Sequence, residues 1–387
     1  MTQLPLADVT VVGIEQALAA PLATRQLADL GARVIKIERP GGGDFARNYD
    51  TVVHGQASAF VWLNRGKESV ELDLASAEGQ RTLHALLERA DVLVANLSPR
   101  ALRSLGLDIE SLRSRHPDLI ACLISGYPAD GPSHDKKAYD ALIQAESGLM
   151  SITGSPGAPA KTGISVVDIA AGSFAYSGIL AALRHRDRTG EALPVQVSLF
   201  EAMTEWMGYP LYYALHSGSS PEPMGTSHPT IAPYGAVTAA GGEQVMIAVQ
   251  NEREWANLCR QVIERPDLAV DPRFCSNPQR VANRSALDTE LTSGFATLDL
   301  AVLLERLDTA QIAWSRLNTL DAMLTHPELT SESRWLSTEI PGAVVRTLRP
   351  TATPGGRCSE GGAVPACGEH TAAVLAELQI ISEETYS

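Results

Sequence analysis

The sequence predicts an α/β fold, a large Rossmann-like domain carrying a smaller α/β domain, and three observations predict it. Short apolar runs rich in β-branched residues alternate with helix-compatible segments through the first half. The 387 residues exceed what one simple core needs. The composition then changes after about His216, where Ser217-Gly218-Ser219-Ser220-Pro221-Glu222-Pro223 reads as a linker or long loop.

Val9 to Ile14 suits a buried parallel strand. Pro21 sits where a helix opens, Leu22, Leu27 and Leu30 share its apolar face, and Gly31 stops it. Arg33 to Glu38 alternates as a strand, and Arg39-Pro40-Gly41-Gly42-Gly43 breaks the chain. Ser69 to Leu74 is a strand candidate, and Ser76, Glu78 and Gly79 open a helix running through Leu87. Asp91 to Ala95 and Leu119 to Ser125 are further buried strands. Ile164 to Val167 looks strand-like and leads through Asp168 into a long helix whose first turns are Ala, Gly and Ser. Thr189-Gly190 ends that helix, and Pro194 to Phe200 is another strand. In the middle block Gln244 to Val249 is a strand, and Glu252 to Val262 and Leu298 to Leu307 are helical. Thr347 to Val364 reads as loop and Thr371 to Leu378 as a closing helix. The expected division is 1–217 for the large domain, 225–335 for the small one, and 336–387 returning to the large one.

A formal charge of −14 disfavours nucleic acid as a partner, while leaving room for a small anion in a local basic pocket. No unbroken apolar run has the length of a membrane span, and the start lacks the pattern of a signal peptide, so no membrane partner is expected. The five cysteines are scattered without ligand spacing, and neither they nor the histidines suggest a metal site. Reduced thiols in a cytoplasmic protein are the expectation. No G-x-G-x-x-G follows the first strand, and the triple glycine at Gly41 to Gly43 lacks a following Lys-Ser/Thr pair, so neither nucleotide fingerprint is present.

The residue to weigh is Asp168. At a strand-to-helix junction an aspartate serves as an N-cap, or as a carboxylate nucleophile whose anion is favoured by unpaired N–H groups and the helix dipole. Local sequence leaves both readings open.

Several long strings carry a resemblance: LADLGARVIKIERPGGGD (Leu27 to Asp44), FVWLNRGKESVELDL (Phe60 to Leu74), ADVLVANLSP (Ala90 to Pro99), KAYDALIQAESGLMSITG (Lys137 to Gly154), VVDIAAGSFAYSGILAALRHRDRTG (Val166 to Gly190) and GEHTAAVLAEL (Gly368 to Leu378). Their order and spacing resemble the family III CoA-transferases, which include formyl-CoA transferases, carnitine CoA-transferases and α-methylacyl-CoA racemases. The resemblance implies that Asp168 is the nucleophile. It implies a coenzyme A site at Arg39, Leu72, Asn96, Leu97, Ser98 and Lys137, and an interlocked homodimer. Small residues after Asp168 would leave room for a thioester. Beyond the CoA thioester used as substrate, no cofactor is implied.

Where the racemase branch has a His-Asp pair, this chain has Tyr139-Asp140, and a tyrosine is a poor proton shuttle near neutrality. That favours transfer, with Tyr139 as a substrate contact. Ser198 to Gly218, Gly225 to Val237 and Val249 to Cys259 resemble the branch acting on short dicarboxylic acids such as itaconate, mesaconate and citramalate, with succinyl-CoA as donor. Arg47 and His228, with Arg253, are candidate seats for the second carboxylate. The alternatives are an acyl-CoA racemase and a catalytically silent CoA-binding protein.

Overall fold

The computed structural model describes residues 4–351 and 353–385, with side chains up to residue 378. The chain divides into two compact units, one comprising residues up to Gly148, Thr162–Tyr209 and the chain from Ser331 onward, the other Leu149–Lys161 and Pro210–Thr330. The short segment 149–161, expected with the large domain, therefore groups with the second unit, and the remaining divisions fall after Tyr209 and after Thr330.

The first unit is built on six strands: β1 (Thr10–Ile14), β2 (Arg33–Glu38), β3 (Lys67–Glu71), β4 (Val92–Ala95), β5 (Ile120–Ser125) and, after the excursion into the second unit, β8 (Val195–Ser198). They pair in the order β3-β2-β1-β4-β5-β8, every pairing parallel. The central strands β1, β4 and β5 are near-continuous apolar runs, as suits strands covered on both faces. Between the strands lie α1 (Ala19–Asp29), α2 (Ser58–Asn64), α3 (Ala77–Leu87), α4 (Pro99–Ser104), α5 (Ile109–Arg115) and α6 (Asp140–Glu146). On one face Val12, Ile35, Val70 and Leu93 pack with Leu83 and Leu87 of α3, Leu102 of α4, Leu112 of α5 and Val374 of the closing helix Thr371–Thr385. The other face carries α1 and α8 (Val166–Thr189).

The excursion holds α7 (Leu149–Ile152) and the short pair β6 (Gly154–Ser155) and β7 (Ala158–Pro159). By length and composition α8 is apolar enough to cross a membrane, although no unbroken apolar run stood out in the sequence. In this chain α8 packs on α1. A Cβ built on Gly172 would lie 2.5 Å from the Ala19 carbonyl oxygen, and one on Gly178 2.7 Å from Val195. The small residues thus serve helix–helix and helix–strand packing; the stripe expected to leave room for a thioester is occupied at these two positions by α1 and β8. Gly190, at φ 76°, closes α8 in the left-handed conformation, as the Thr189-Gly190 step predicts.

The strand expected at Ile164–Val167 does not form: α8 begins at Val166. After β8, Leu199–Trp206 forms α9, with Ser198 as N-cap: its hydroxyl oxygen accepts from the Glu201 N–H and its O–H donates to the Glu201 carboxylate. Trp335–Ile340 and Ala343–Leu348 pair as an antiparallel hairpin that sequence patterning had not marked.

The second unit has its own core. Strands Tyr234–Thr238, Gln244–Ala248 and Ala313–Arg316 form an antiparallel sheet. Trp255, Phe274, Leu287, Phe295 and Leu303 are fully buried in this core.

Candidate active site

Strand order reverses between β1 and β4, because the chain runs outward from β1 to one side and then restarts on its other side. In open parallel sheets, ligands bind beyond the carboxyl ends of strands at such a point. Here the loops after β1 and β4 are clasped together. Asn96 Oδ1 accepts from the Gln16 amide at 2.8 Å, and Asn96 Nδ2 donates to the Gln16 carbonyl at 2.8 Å. Ala17 follows at φ 60°, a left-handed conformation costly for a residue with a Cβ, and its N–H donates to the buried Asp44 carboxylate at 3.1 Å.

A cleft of about 340 Å³ opens at this point within the first unit. Gln16, Ala17, Leu18 and Ala19 line one wall, Asn96, Leu97, Ser98 and Pro99 another, and Lys136, Lys137, Ala138 and Tyr139 a third, with Asp168 exposed to the same space. The fold thus brings together six of the residues singled out in the sequence: Asp168, Asn96, Leu97, Ser98, Lys137 and Tyr139.

Asp168 is the third residue of α8, in its first turn, and no side chain caps at Ser165. Its surroundings differ from a simple N-cap and from a carboxylate cradled by N–H groups. The first four amides of α8 are already satisfied: Val166 donates to the Ile164 carbonyl, Val167 and Asp168 to Asp140 Oδ1 at 2.8 and 3.3 Å, and Ile169 to the Ser165 carbonyl. No hydrogen bond to the Asp168 carboxylate occurs among the described residues. Burial first, and the neighbouring Asp140 charge second, push its carboxyl up to about 7. The expected stabilisation of the anion by the head of its own helix is therefore corrected: Asp140 holds those groups. The N-terminus of α1 also borders the cleft and has no side-chain cap.

Lys137 is exposed and has no ion-pair partner among the described residues, whereas Lys136 donates to Glu146 at 2.7 Å and lies over the Tyr127 ring. Ser98 caps α4, accepting from Ala101 N–H at 3.3 Å. Arg103 pairs with Asp135, a cleft residue, at 2.9 Å.

Four expected site residues lie elsewhere. Arg39 is exposed and donates to the Gly43 carbonyl. Leu72 is in the sheet core. The Arg47 guanidinium is committed to Glu38 at 2.6 Å and lies 3.9 Å over the Phe60 ring, so it is not a free seat for a carboxylate. His228 belongs to the second unit, where its ring stacks on Tyr234. Conversely, Gln16 to Ala19 and Lys136 line the cleft without having been singled out. Their signal was positional: they follow β1 and precede the matched Lys137.

Comparison with known proteins identifies the family. Residues 6–371 match the model of CoA-transferase family III. The chain is 36% identical over 384 residues to a succinyl-CoA:mesaconate CoA-transferase of Haloarcula hispanica, covering 96% of each chain. It is 34% identical over 394 residues to a succinate–glutarate CoA-transferase of Agrobacterium fabrum, covering 97% of this chain and 96% of that one. A crystal structure of a CAIB/BAIF family protein from Brucella suis superposes with a TM-score of 0.83 at 33% identity, over 97% of this chain and 100% of that one.

Proposed function

The chain belongs to CoA-transferase family III, and from that membership we propose that it moves coenzyme A from succinyl-CoA to a short dicarboxylic acid, with Asp168 as covalent nucleophile. The observation that carries this reading is a carboxylate open to a cleft at the switch point, free of hydrogen bonds among the described residues, its carboxyl pushed up to about 7 by burial and by Asp140. A carboxylate without hydrogen-bond donors is a better nucleophile than one stabilised by them.

In this scheme one Asp168 oxygen attacks the thioester carbonyl. The C–S bond breaks, leaving an aspartyl–succinyl anhydride and CoA thiolate. The thiolate attacks the aspartyl carbonyl, a C–O bond breaks, and succinate leaves an aspartyl-CoA thioester. The acceptor carboxylate then attacks that thioester, expelling thiolate and forming the second anhydride. Thiolate attack on the acceptor carbonyl releases the new acyl-CoA and restores Asp168. No net proton is consumed. The uncapped N-terminus of α1 supplies dipole stabilisation for the oxyanions. Asn96, Leu97, Ser98 and Lys137 support a CoA contact on the far walls. We read the acceptor as a short dicarboxylate such as mesaconate, glutarate, citramalate or itaconate; the first three are the acids that relatives are named for, and the fourth comes from the earlier resemblance.

The first unit also exposes Phe45, Tyr49, Tyr139 and Ile164, apolar area consistent with a second copy of the chain and a homodimer. Light scattering would measure its mass.

The test is to incubate the protein with succinyl-CoA and trap it in hydroxylamine. A mass shift at Asp168, lost together with transfer in Asp168→Ala, is expected. Full turnover by Asp168→Ala would overturn the mechanism. Deuterium entering the α-carbon of a branched acyl-CoA without any acceptor would mark a racemase instead.

A further inference from the structure

We propose that Asp140 is a positioning residue for Asp168, one that closes the head of α8 to the Asp168 carboxylate and fixes a negative charge beside it. This rests on the reading of Asp168 as nucleophile.

The geometry is specific. One Asp140 oxygen accepts the N–H groups of both Val167 and Asp168. The other accepts from Gln144 Nε2 at 2.6 Å. Gln144 is fully buried, and its Oε1 accepts from Thr162 N–H at 3.0 Å, tying the clamp to the segment that enters α8. An aspartate in the first turn of a helix ordinarily gains from the free amides there. Asp140 has taken them, so Asp168 faces the cleft as an unstabilised carboxylate. The other charged or titratable groups bordering it are Tyr49, Tyr139, Asp135, Lys136 and Lys137. Lys136 is held by Glu146, Asp135 by Arg103, and Lys137 is exposed; Asp140 is the charged group in direct hydrogen-bond contact with the Asp168 backbone. The device keeps the nucleophile basic, hence reactive, while still ionised in a useful fraction at neutral pH.

Asp140→Asn separates charge from capping, since the amide oxygen can still accept the two N–H groups. Asp140→Ala removes both. The readout is the pH dependence of acyl-enzyme formation from succinyl-CoA in a single turnover. Wild type is expected to rise with a midpoint near 7. In both variants the midpoint should fall by about one unit or more, and the plateau above pH 8 should drop as the nucleophile loses basicity. A merely structural cap would lower the rate at every pH and leave the midpoint in place, and that result would overturn the proposal. Independently of turnover, carbon-13 titration of the Asp168 carboxyl, assigned by its loss in Asp168→Asn, reports the same midpoint. If Asp168→Asn kept acylation while this titration still moved in Asp140→Asn, the nucleophile reading would fall and the clamp would stand. A wild-type Asp168 titrating in the ordinary carboxylate range would sink the clamp even without a folded Asp140 variant.

Discussion

At the scale of single residues, the ionisation of Asp168 links stability to activity. Its folded-state carboxyl lies at about 7, above an ordinary value near 3.8. Between those values the folded chain binds more protons than the unfolded one, so stability falls as pH rises through that window. Asp168→Asn removes the cost. It should stabilise the protein by ~1–2 kcal/mol at pH 8, after discounting for a half-buried, solvent-screened site, and by nothing below about pH 4. Urea denaturation at the two pH values checks this; equal stability of variant and wild type at pH 8 would contradict the raised carboxyl. On the proposed mechanism the same titration sets the rate. Only the anion attacks, so acylation should climb about tenfold per unit as pH rises toward 7 and level off above it, as stopped pre-steady-state assays can follow. A group that weakens its own fold yet gains reactivity is the pattern expected of a catalytic carboxylate rather than of a helix cap.

At the scale of elements, the site depends on how closely α8 lies on α1, because the end of α1 forms one wall of the cleft and α8 carries the carboxylate. Gly172 sets that distance: a Cβ there meets the Ala19 carbonyl at 2.5 Å and Leu22 at 3.2 Å. Gly172→Val should therefore cost ~2–4 kcal/mol by overpacking, and lower kcat more than it raises the KM for succinyl-CoA. Thermal melts with steady-state kinetics measure both; an unchanged melting temperature would show that the helices can part freely. Most of these elements were legible because their signals are local. β1, β2, β4 and β5 are short β-branched runs bounded by breakers, Ser76 announces α3, and Gly190 ends α8. The start of α8 was not legible. Ile164, Val166 and Val167 have strand propensity, and it is Asp140, 28 positions before Asp168, that satisfies the amides and lets Val166 and Val167 form a first helical turn. The site divides in the same way. Asn96 to Ser98, read from the family resemblance, lie at a strand end beside the switch point. Arg47 did not, because its pairing with Glu38 is a tertiary fact that no spacing reveals.

At the scale of the whole molecule, the −14 surface contrasts with a balanced set of charges sealed beneath the switch point. Glu15, Lys36, Asp44 and Lys67 are buried with side chains fully enclosed or nearly so, two of each sign. Lys67 lies 2.6 Å from Glu15, and Lys36 lies 3.3 Å from Glu15 and 2.9 Å from Asp44. Burial works against the Glu15 anion, but the two lysines outweigh it and hold its carboxyl below the usual range. Such a network gives little net stability over an apolar core, yet losing one member strands the others. Its site-facing end is Asp44, whose second oxygen holds the strained Ala17 amide at the cleft. Lys36→Met should leave Glu15 and Asp44 facing Lys67 alone and destabilise the chain by ~3–5 kcal/mol. Because Asp44 then loses the cation that holds its other oxygen, the anchor of the Ala17 backbone loosens, and turnover should fall even where the protein is fully folded. The double variant Lys36→Met with Asp44→Asn restores charge balance, so it should recover much of the stability without the activity. Urea midpoints and kcat for the two variants make the comparison. Recovery of both together would mean that the network only balances charge, and parallel persistence of both in Lys36→Met would mean that the buried lysine is dispensable to fold and cleft alike.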